Sequence, residues 1–320
     1  MRELVSIILP TYNRAQLLPR AVDSVLSQTY ENWELIIWND GSTDNTHNVL
    51  ENFKDKRITF YKEDNQGKSY ALNQGLRLAK GQIVAFLDDD DVWLPKKVEI
   101  QVAALQKHPE LDMVFGDFEN INITSNIVGF GFDQASAGLA QLLTEKVGKN
   151  LWFVREGFLK GIGRDNFIAF DSVAIQKRMI DRIGLFNEKL LNSEDFEYWW
   201  RFGLAGGKAA YTETVLLKRY KYANSLSSRS IIAIENYIKT LDLCAEITRT
   251  YNNEESVNYL LPAYRNAWQN KVIIHGTQGE KKMAWHAFKQ SLKFGFSLGT
   301  VKLIMKALFF ANSLSSSTQQ

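Results

Sequence analysis

The chain has 320 residues, a formal net charge of +2, 45% hydrophobic residues and 12% aromatic residues. That apolar content is enough for a packed core and excludes a disordered chain, while the near-neutral charge excludes bulk nucleic-acid binding driven by phosphate neutralisation. The single cysteine, Cys244, excludes an internal disulfide and a cysteine-built metal site, which fits a reducing compartment.

The first third alternates two patterns. Val5–Leu9, Leu35–Trp38, Ile58–Tyr61 and Ile83–Leu87 are short apolar runs of the kind that form strands buried on both faces. Between them Leu17/Leu18, Ala21/Val22 and Val25/Leu26 recur at a spacing of four, as do Ala71/Leu72, Gly75/Leu76 and Ala79, with Gly81 read as a helix C-cap. Pro95 is placed to open a further helix whose stripe is Val98, Val102 and Leu105. Strands alternating with helices predict an α/β fold with an open, mostly parallel, Rossmann-like sheet flanked by helices. The stretch from Phe130 to Gly163 is less periodic and glycine-rich, and reads as loops and short helices. Phe170–Ile175 reads as extended, Lys177–Ile183 and Glu194–Leu204 as helical, and everything from Ile231 as helical. The run Leu4–Leu9 is too short for an export signal, and no stretch approaches the roughly 20 apolar residues that span a bilayer. A cytoplasmic protein is expected, free or peripheral on the inner face of the membrane.

In open α/β sheets, ligands bind beyond the carboxyl ends of the strands. Three polar clusters fall there: Pro10–Arg14, Asn39–Asp44 and Asp88–Asp91. The first lacks the glycines of a dinucleotide-binding turn, and the chain has no G-x-x-x-x-G-K-[ST] loop. It offers instead an aromatic ring, Tyr12, able to stack on a base, and a cation, Arg14. In the second, Gly41 permits a tight turn and Asp40 stands nearest the crevice, while Asp44 reads as a cap of the next helix. The third is four consecutive carboxylates wedged between Ile83–Leu87 and Val92–Leu94, where mutual repulsion calls for a cation. A calcium loop fails because Trp93 occupies its glycine position, and oxygen-only ligands suit Mg²⁺ or Mn²⁺ bridging a diphosphate.

Together these stretches resemble the inverting family 2 glycosyltransferases, of GT-A fold and the nucleotide-diphospho-sugar transferase superfamily. The resemblance rests on Val5–Arg14 (VSIILPTYNR), Leu35–Asp44 (LIIWNDGSTD), Asn65–Gly81, Ile83–Pro95 (IVAFLDDDDVWLP), Ile183–Glu188 (IGLFNE) and Glu194–Arg201 (EDFEYWWR), in the family's order. It implies that Thr11 and Tyr12 hold the base, Asp40 bonds its ring, Asp88 touches the ribose with Asp89 as a secondary contact, Asp90 ligates Mn²⁺ or Mg²⁺, and Asp195 is the catalytic base. Arg14 and Lys68 would add positive field at the diphosphate. The implied organisation is a catalytic domain over 1–230, with a nucleotide-binding half at 1–125 and an acceptor half at 126–230, followed by a helical region over 231–320. The implied activity is that of a hexosyltransferase, moving one sugar from a nucleotide-sugar donor, expected to be a UDP-sugar, to a glycan or lipid-linked acceptor in cell-surface polysaccharide or glycolipid assembly.

Two positions depart from the family. Asn39 replaces the first of a frequent aspartate pair, and Tyr222 stands where many members carry a histidine near the diphosphate and metal. The glutamine–arginine–tryptophan signature of processive synthases is missing, which favours single addition. The rival readings are a nucleotidyltransferase, a glycosidase with paired carboxylates, and an inactive glycosyltransferase-like binding protein. At the far end Lys281, Lys282, Lys289, Lys293, Lys302 and Lys306 are interleaved with Trp285, Phe288, Leu292, Phe296 and Leu303, and residues 281–310 contain no acid. Two readings stand equal there: a basic amphipathic segment on an anionic membrane, or helices packed on the protein with solvated lysines.

Overall fold

The computed structural model describes residues 3–125, 128–221 and 230–295. The chain forms two compact units, Met1–Ile162 with Asn166–Ala223, and Gly163–Asp165 with Asn224–Gln320. In the first, strands β1 (Val5–Thr11), β2 (Trp33–Asp40), β3 (Ile58–Glu63) and β4 (Ile83–Phe86) are parallel, in spatial order β3-β2-β1-β4. β1 and β4 are buried along their whole length, as their unbroken apolar runs require. Between these strands lie α1 (Leu18–Leu26), α2 (Thr46–Leu50) and α3 (Lys68–Leu78). Side chains of α1 enter the same core as Ile7, Leu9, Leu35 and Ile37.

The sheet continues beyond β4. β5 (Val92–Trp93) and α4 (Lys97–Lys107) lead into β6 (Met113–Asn122), with β7 (Val128–Phe130) paired on its outer end. Short helices α5 (Gly131–Gln134) and α6 (Ser136–Leu139) precede β8 (Leu143–Lys146) and β9 (Leu151–Glu156). After α7 (Phe158–Arg164) comes β10 (Ala174–Gln176), antiparallel to both β4 and β6. Helices α8 (Lys177–Ile183) and α9 (Glu194–Leu204) then deliver β11 (Ala209–Lys221), parallel to β6 and antiparallel to β5 and β9.

Three expectations change. Phe130–Gly163 contains strands β8 and β9 as well as short helices, and among the described residues the sheet has 11 strands, β1–β11. The register of β11 shifts twice, after Thr212 and after Val215, which breaks the alternation that would have marked it as a strand. Phe170–Ile175 is extended only at its end, because Phe170–Ser172 forms a 3₁₀ turn. Gly81 is not a C-cap: α3 ends before it, and the Gly81 N–H donates to Ser6 Oγ at 2.8 Å. A Cβ there would meet Leu4 O at 2.5 Å, so β1 itself demands the glycine.

The second unit holds α10 (Ile231–Thr250), α11 (Glu254–Val257), α12 (Leu261–Thr277) and α13 (Lys281–Leu292). Lys271 pairs with Glu235 at 2.7 Å and Tyr264 Oη donates to Asp242 at 2.7 Å, tying α12 to α10. Among the described residues no helix is long and apolar enough to cross a membrane. Tyr222, Phe296 and Lys302–Leu308 lie outside the described residues.

Candidate active site

The loops after β1 and β2 are stitched together by side chain–backbone bonds. Asn13 Oδ1 accepts the Thr43 N–H at 2.8 Å, Ser42 Oγ accepts the Asn13 N–H at 2.9 Å, and Asp44 accepts the Ala15 N–H at 3.1 Å. Asp44 also caps Thr46, and these bonds outweigh burial to hold its pKa below the ordinary aspartate value. Asn13 adopts a left-handed φ of 53°, uncommon for a non-glycine residue and retained here by its three-way bonding. Gly41 turns with φ 74°, and a Cβ there would stand 2.5 Å from the Asn65 nitrogen. Asn39 is buried and accepts the Ser42 N–H at 2.9 Å, so it braces this turn.

Asp40 is buried, and its two carboxylate oxygens accept the N–H groups of Gln66 at 2.8 Å and Gly67 at 2.9 Å. Asp40 thus fixes the entry to α3, whose first residue is Lys68. Thr11 is buried beside Asp89, while Tyr12 stands 46% exposed on the rim. Asn73, on α3, bonds the segment between α8 and α9: its amide donates to Phe186 O at 2.9 Å and Glu188 Oε1 at 2.8 Å and accepts the Phe186 N–H at 2.8 Å. Through that bond the segment before α9 is anchored to α3.

The acidic turn is where charge concentrates. Lys68 Nζ lies 2.7 Å from Asp88 Oδ1 and 3.1 Å from Glu194 Oε1, above the Phe170 ring. Burial alone would discharge this lysine, but the Asp88 and Glu194 charges raise its pKa well above the ordinary value. Arg14 Nε stands 3.8 Å from Asp89 Oδ1. Burial, reinforced by the Asp90 and Asp88 charges and opposed by Thr11 and Arg14, pushes Asp89 up to about 7. Asp90 is pushed up to about 6 by burial and by Asp91 and Asp88. No described residue bonds the Asp90 carboxylate, while its backbone oxygen accepts from Arg20 at 2.9 Å. Asp91 is taken up structurally: it accepts the Tyr220 N–H at 2.9 Å and faces Arg219 Nε at 3.6 Å.

Two groups absent from the sequence reading belong to this cluster. Asp171, wholly buried on the 3₁₀ turn, accepts the Asp88 N–H at 3.0 Å through Oδ1, and its other oxygen is among the buried atoms without a bonding partner. Burial and the Asp88 and Asp91 charges raise its pKa well above the ordinary value. Arg219, near the end of β11, is held charged by Asp91, Asp171, Asp88 and Asp195, against the pull of burial. Below the turn Gln101 donates to Ser172 O at 2.7 Å and Val114 O at 2.8 Å, and the buried Lys97 donates to Gln101 at 2.7 Å. An acid flanked by Ile168–Phe170 and Val173–Ile175 was the available signal for Asp171, the same wedge logic that singled out Asp88–Asp91.

Asp195 opens α9 behind Ser193, whose φ of 58° is again left-handed. Its Oδ1 accepts the Phe196 N–H at 2.7 Å and its Oδ2 an amide N–H of Asn166 at 3.3 Å. Burial and the Glu194 charge push Asp195 up to about 6, with Lys68 opposing. The structure therefore joins Thr11, Arg14 and Asp89 in one group and Lys68, Asp88 and Glu194 in another, with Asp195 adjoining the second. Oxygens of Asp88, Asp91 and Asp171 lie within 4.8 Å of one another. Such an all-oxygen set, with one buried oxygen unpartnered, fits a hard divalent cation.

A parallel half-sheet carrying a polar crevice at its carboxyl edge, closed by an antiparallel β10 and a long β11, defines a GT-A-type sugar-transferase fold. The family profile described as Glycosyl transferase family 2 matches residues 6–155, and an uncharacterised glycosyltransferase of Rickettsia typhi is 32% identical over 236 residues, 73% of this chain and 69% of that one. The chain belongs to glycosyltransferase family 2 and is a glycosyltransferase-type enzyme. An Escherichia coli protein named UDP-Glc:alpha-D-GlcNAc-diphosphoundecaprenol beta-1,3-glucosyltransferase is 29% identical over 249 residues, 76% of this chain and 88% of that one. Among solved structures, a Pyrobaculum calidifontis mannosyltransferase in complex with GDP-Man and Mn²⁺ superposes with a TM-score of 0.60 at 17% identity, covering 100% of this chain and 89% of that one.

Proposed function

We propose that this chain transfers one hexose from a UDP-sugar, with inversion and with a divalent cation, to a hydroxyl of a lipid-linked diphosphate sugar in cell-surface glycan assembly. The observation that carries the chemistry is Asp195, a raised carboxyl at the start of α9, adjoining the Lys68–Asp88–Glu194 group. The UDP donor and lipid-linked acceptor are supported by the name of the E. coli relative. Thr11 and Tyr12 take the base, Asp40 and the turn it fixes take its ring edge, and Asp88, with Asp89 behind it, takes the ribose. Arg14 and Lys68 supply positive field for the diphosphate. The donor occupies the half formed by 1–125 and the acceptor that formed by 126–230, with 231–320 as a helical extension.

The step is a single displacement. The acceptor oxygen attacks the anomeric carbon as its proton passes to the Asp195 carboxylate, and the bond from that carbon to the diphosphate oxygen breaks, releasing UDP. Asp195 is ionised at neutral pH, yet its raised pKa makes it a stronger base than a free aspartate. Asp90 is the proposed ligand of Mn²⁺ or Mg²⁺, since no described residue bonds its carboxylate; the Asp88–Asp91–Asp171 set, whose Asp171 Oδ2 is also unpartnered, is the second candidate. When bound, the cation neutralises charge on the departing diphosphate, a contribution of about several kcal/mol. The test is incubation with UDP-glucose, Mn²⁺ and a polyprenyl-diphosphate sugar, with the product's anomeric proton read by NMR. An α-linked product would contradict inversion.

A further inference from the structure

α13 packs on α12 through its small residues. Ala284, Ala287 and Ser291 are buried, and Ala284 and Ala287 share a cluster with Val272, against which Trp268 and Phe288 rest. On the packing reading, the sequence stripe Trp285–Phe288–Leu292 would be the packed face; on the membrane reading, it would face out. Trp285 is 48% exposed and Leu292 39% exposed. At about 100° per residue Trp285 and Leu292 lie side by side, and Lys289, Lys282 and Lys293 occupy the adjoining arc. Lys289 Nζ stands 5.9 Å from the Trp285 ring centroid. Residues 281–293 contain four lysines and no acid.

An indole with an apolar body and a polar N–H suits the boundary between water and hydrocarbon, and lysine stems can lie along that boundary with their charge in the headgroups. We infer that the outward face of α13 is a docking surface for anionic phospholipid. Trp285 and Leu292 seat at headgroup depth, and Lys282, Lys289 and Lys293 meet the lipid charge. Charge complementarity selects this occupant over a second copy of the chain, which would set the same lysines against one another. The inference is independent of the transfer chemistry, because no group of the proposed active site lies on α13.

Flotation of the full chain with vesicles tests it. Vesicles of phosphatidylcholine containing about one-third phosphatidylglycerol should carry the protein at low salt, pure phosphatidylcholine vesicles should not, and high salt should release it. Replacing three exposed lysines together, Lys282→Gln, Lys289→Gln and Lys293→Gln, should weaken binding roughly fivefold per lysine, about a hundredfold in all, with an unchanged melting temperature. Trp285→Ser probes the apolar part separately and should also weaken flotation. Absence of flotation, or equal flotation of parent and triple-lysine variant, would overturn the inference. So would Trp285-dependent self-association, or capture of an acidic protein, in a chain that ignores lipid. UDP release measured on the same samples should be unchanged, so failure here is read apart from failure of the transferase proposal.

Discussion

The two sides of the crevice are held by different physics. On the side of β1, β2 and α3, loops are fixed by directional bonds between side chains and backbone: Asn13 to Thr43, Asp40 to Gln66 and Gly67, Asn73 to Phe186. On the side of the acidic turn, Lys68, Arg219, Asp88, Asp91, Asp171, Glu194 and Asp195 are held by opposed charges in a buried setting. The first side is fixed before any ligand arrives, and on the proposal above it is the mould that takes the nucleotide. The second is poised: its acids repel one another until a proton or cation arrives.

Variants on the charged side should change catalysis more than stability. Asp195→Asn should lower kcat by roughly 10²–10⁴-fold while donor affinity, read by titration calorimetry with UDP, stays within a few-fold. Asp90→Asn should lose the response to Mn²⁺ and about 10²–10³-fold in rate, whereas Asp171→Asn should keep a saturable Mn²⁺ response. The reverse pattern would move the cation onto Asp88, Asp91 and Asp171. Asn73→Ala belongs to the other side: it strands the Phe186 amide and carbonyl, and should cost about 2–4 kcal/mol in denaturant unfolding without shifting the pH profile. For pH itself the sign follows from the base acting ionised. With Asp195 and Asp90 both raised to about 6, kcat/KM should fall below that value by at least about tenfold per pH unit. A profile breaking near 4 would remove Asp195 from that role.

The two sides also differed in legibility. The bonded side was readable because its strands are unbroken apolar runs and its loops carry local turn chemistry, such as Gly41 with φ 74° and Asp44 capping Thr46. Much of the charged side was not. Arg219 sits in Leu217–Lys221, a run that reads as surface cations, and only the pairing of β11 with β5 and β6 brings it to Asp91. Asp171 meets Asp88 across 83 residues of sequence, through a short turn clamped by Gln101. Likewise β11, with its two register shifts, and the exposed β8 carry no clean alternation of period two. The sequence reading named Asp88, Asp90, Asp195 and the cations Arg14 and Lys68, but not Asp171 or Arg219, which act on the same acids. On α13 the apolar stripe was legible, and the choice of small residues for its packed face was not.

The most direct test of the central claim, that the acidic turn and Asp195 form one metal-assisted transfer site, is nucleotide release from a panel of nucleotide-sugars with Mn²⁺ and with a chelator. The account predicts UDP release from a UDP-hexose that rises with Mn²⁺, collapses on chelation and is lost in Asp195→Asn when acceptor is present. Release of inorganic diphosphate would indicate a nucleotidyltransferase instead. UDP release unchanged by chelation, or no release from any donor, would contradict the account.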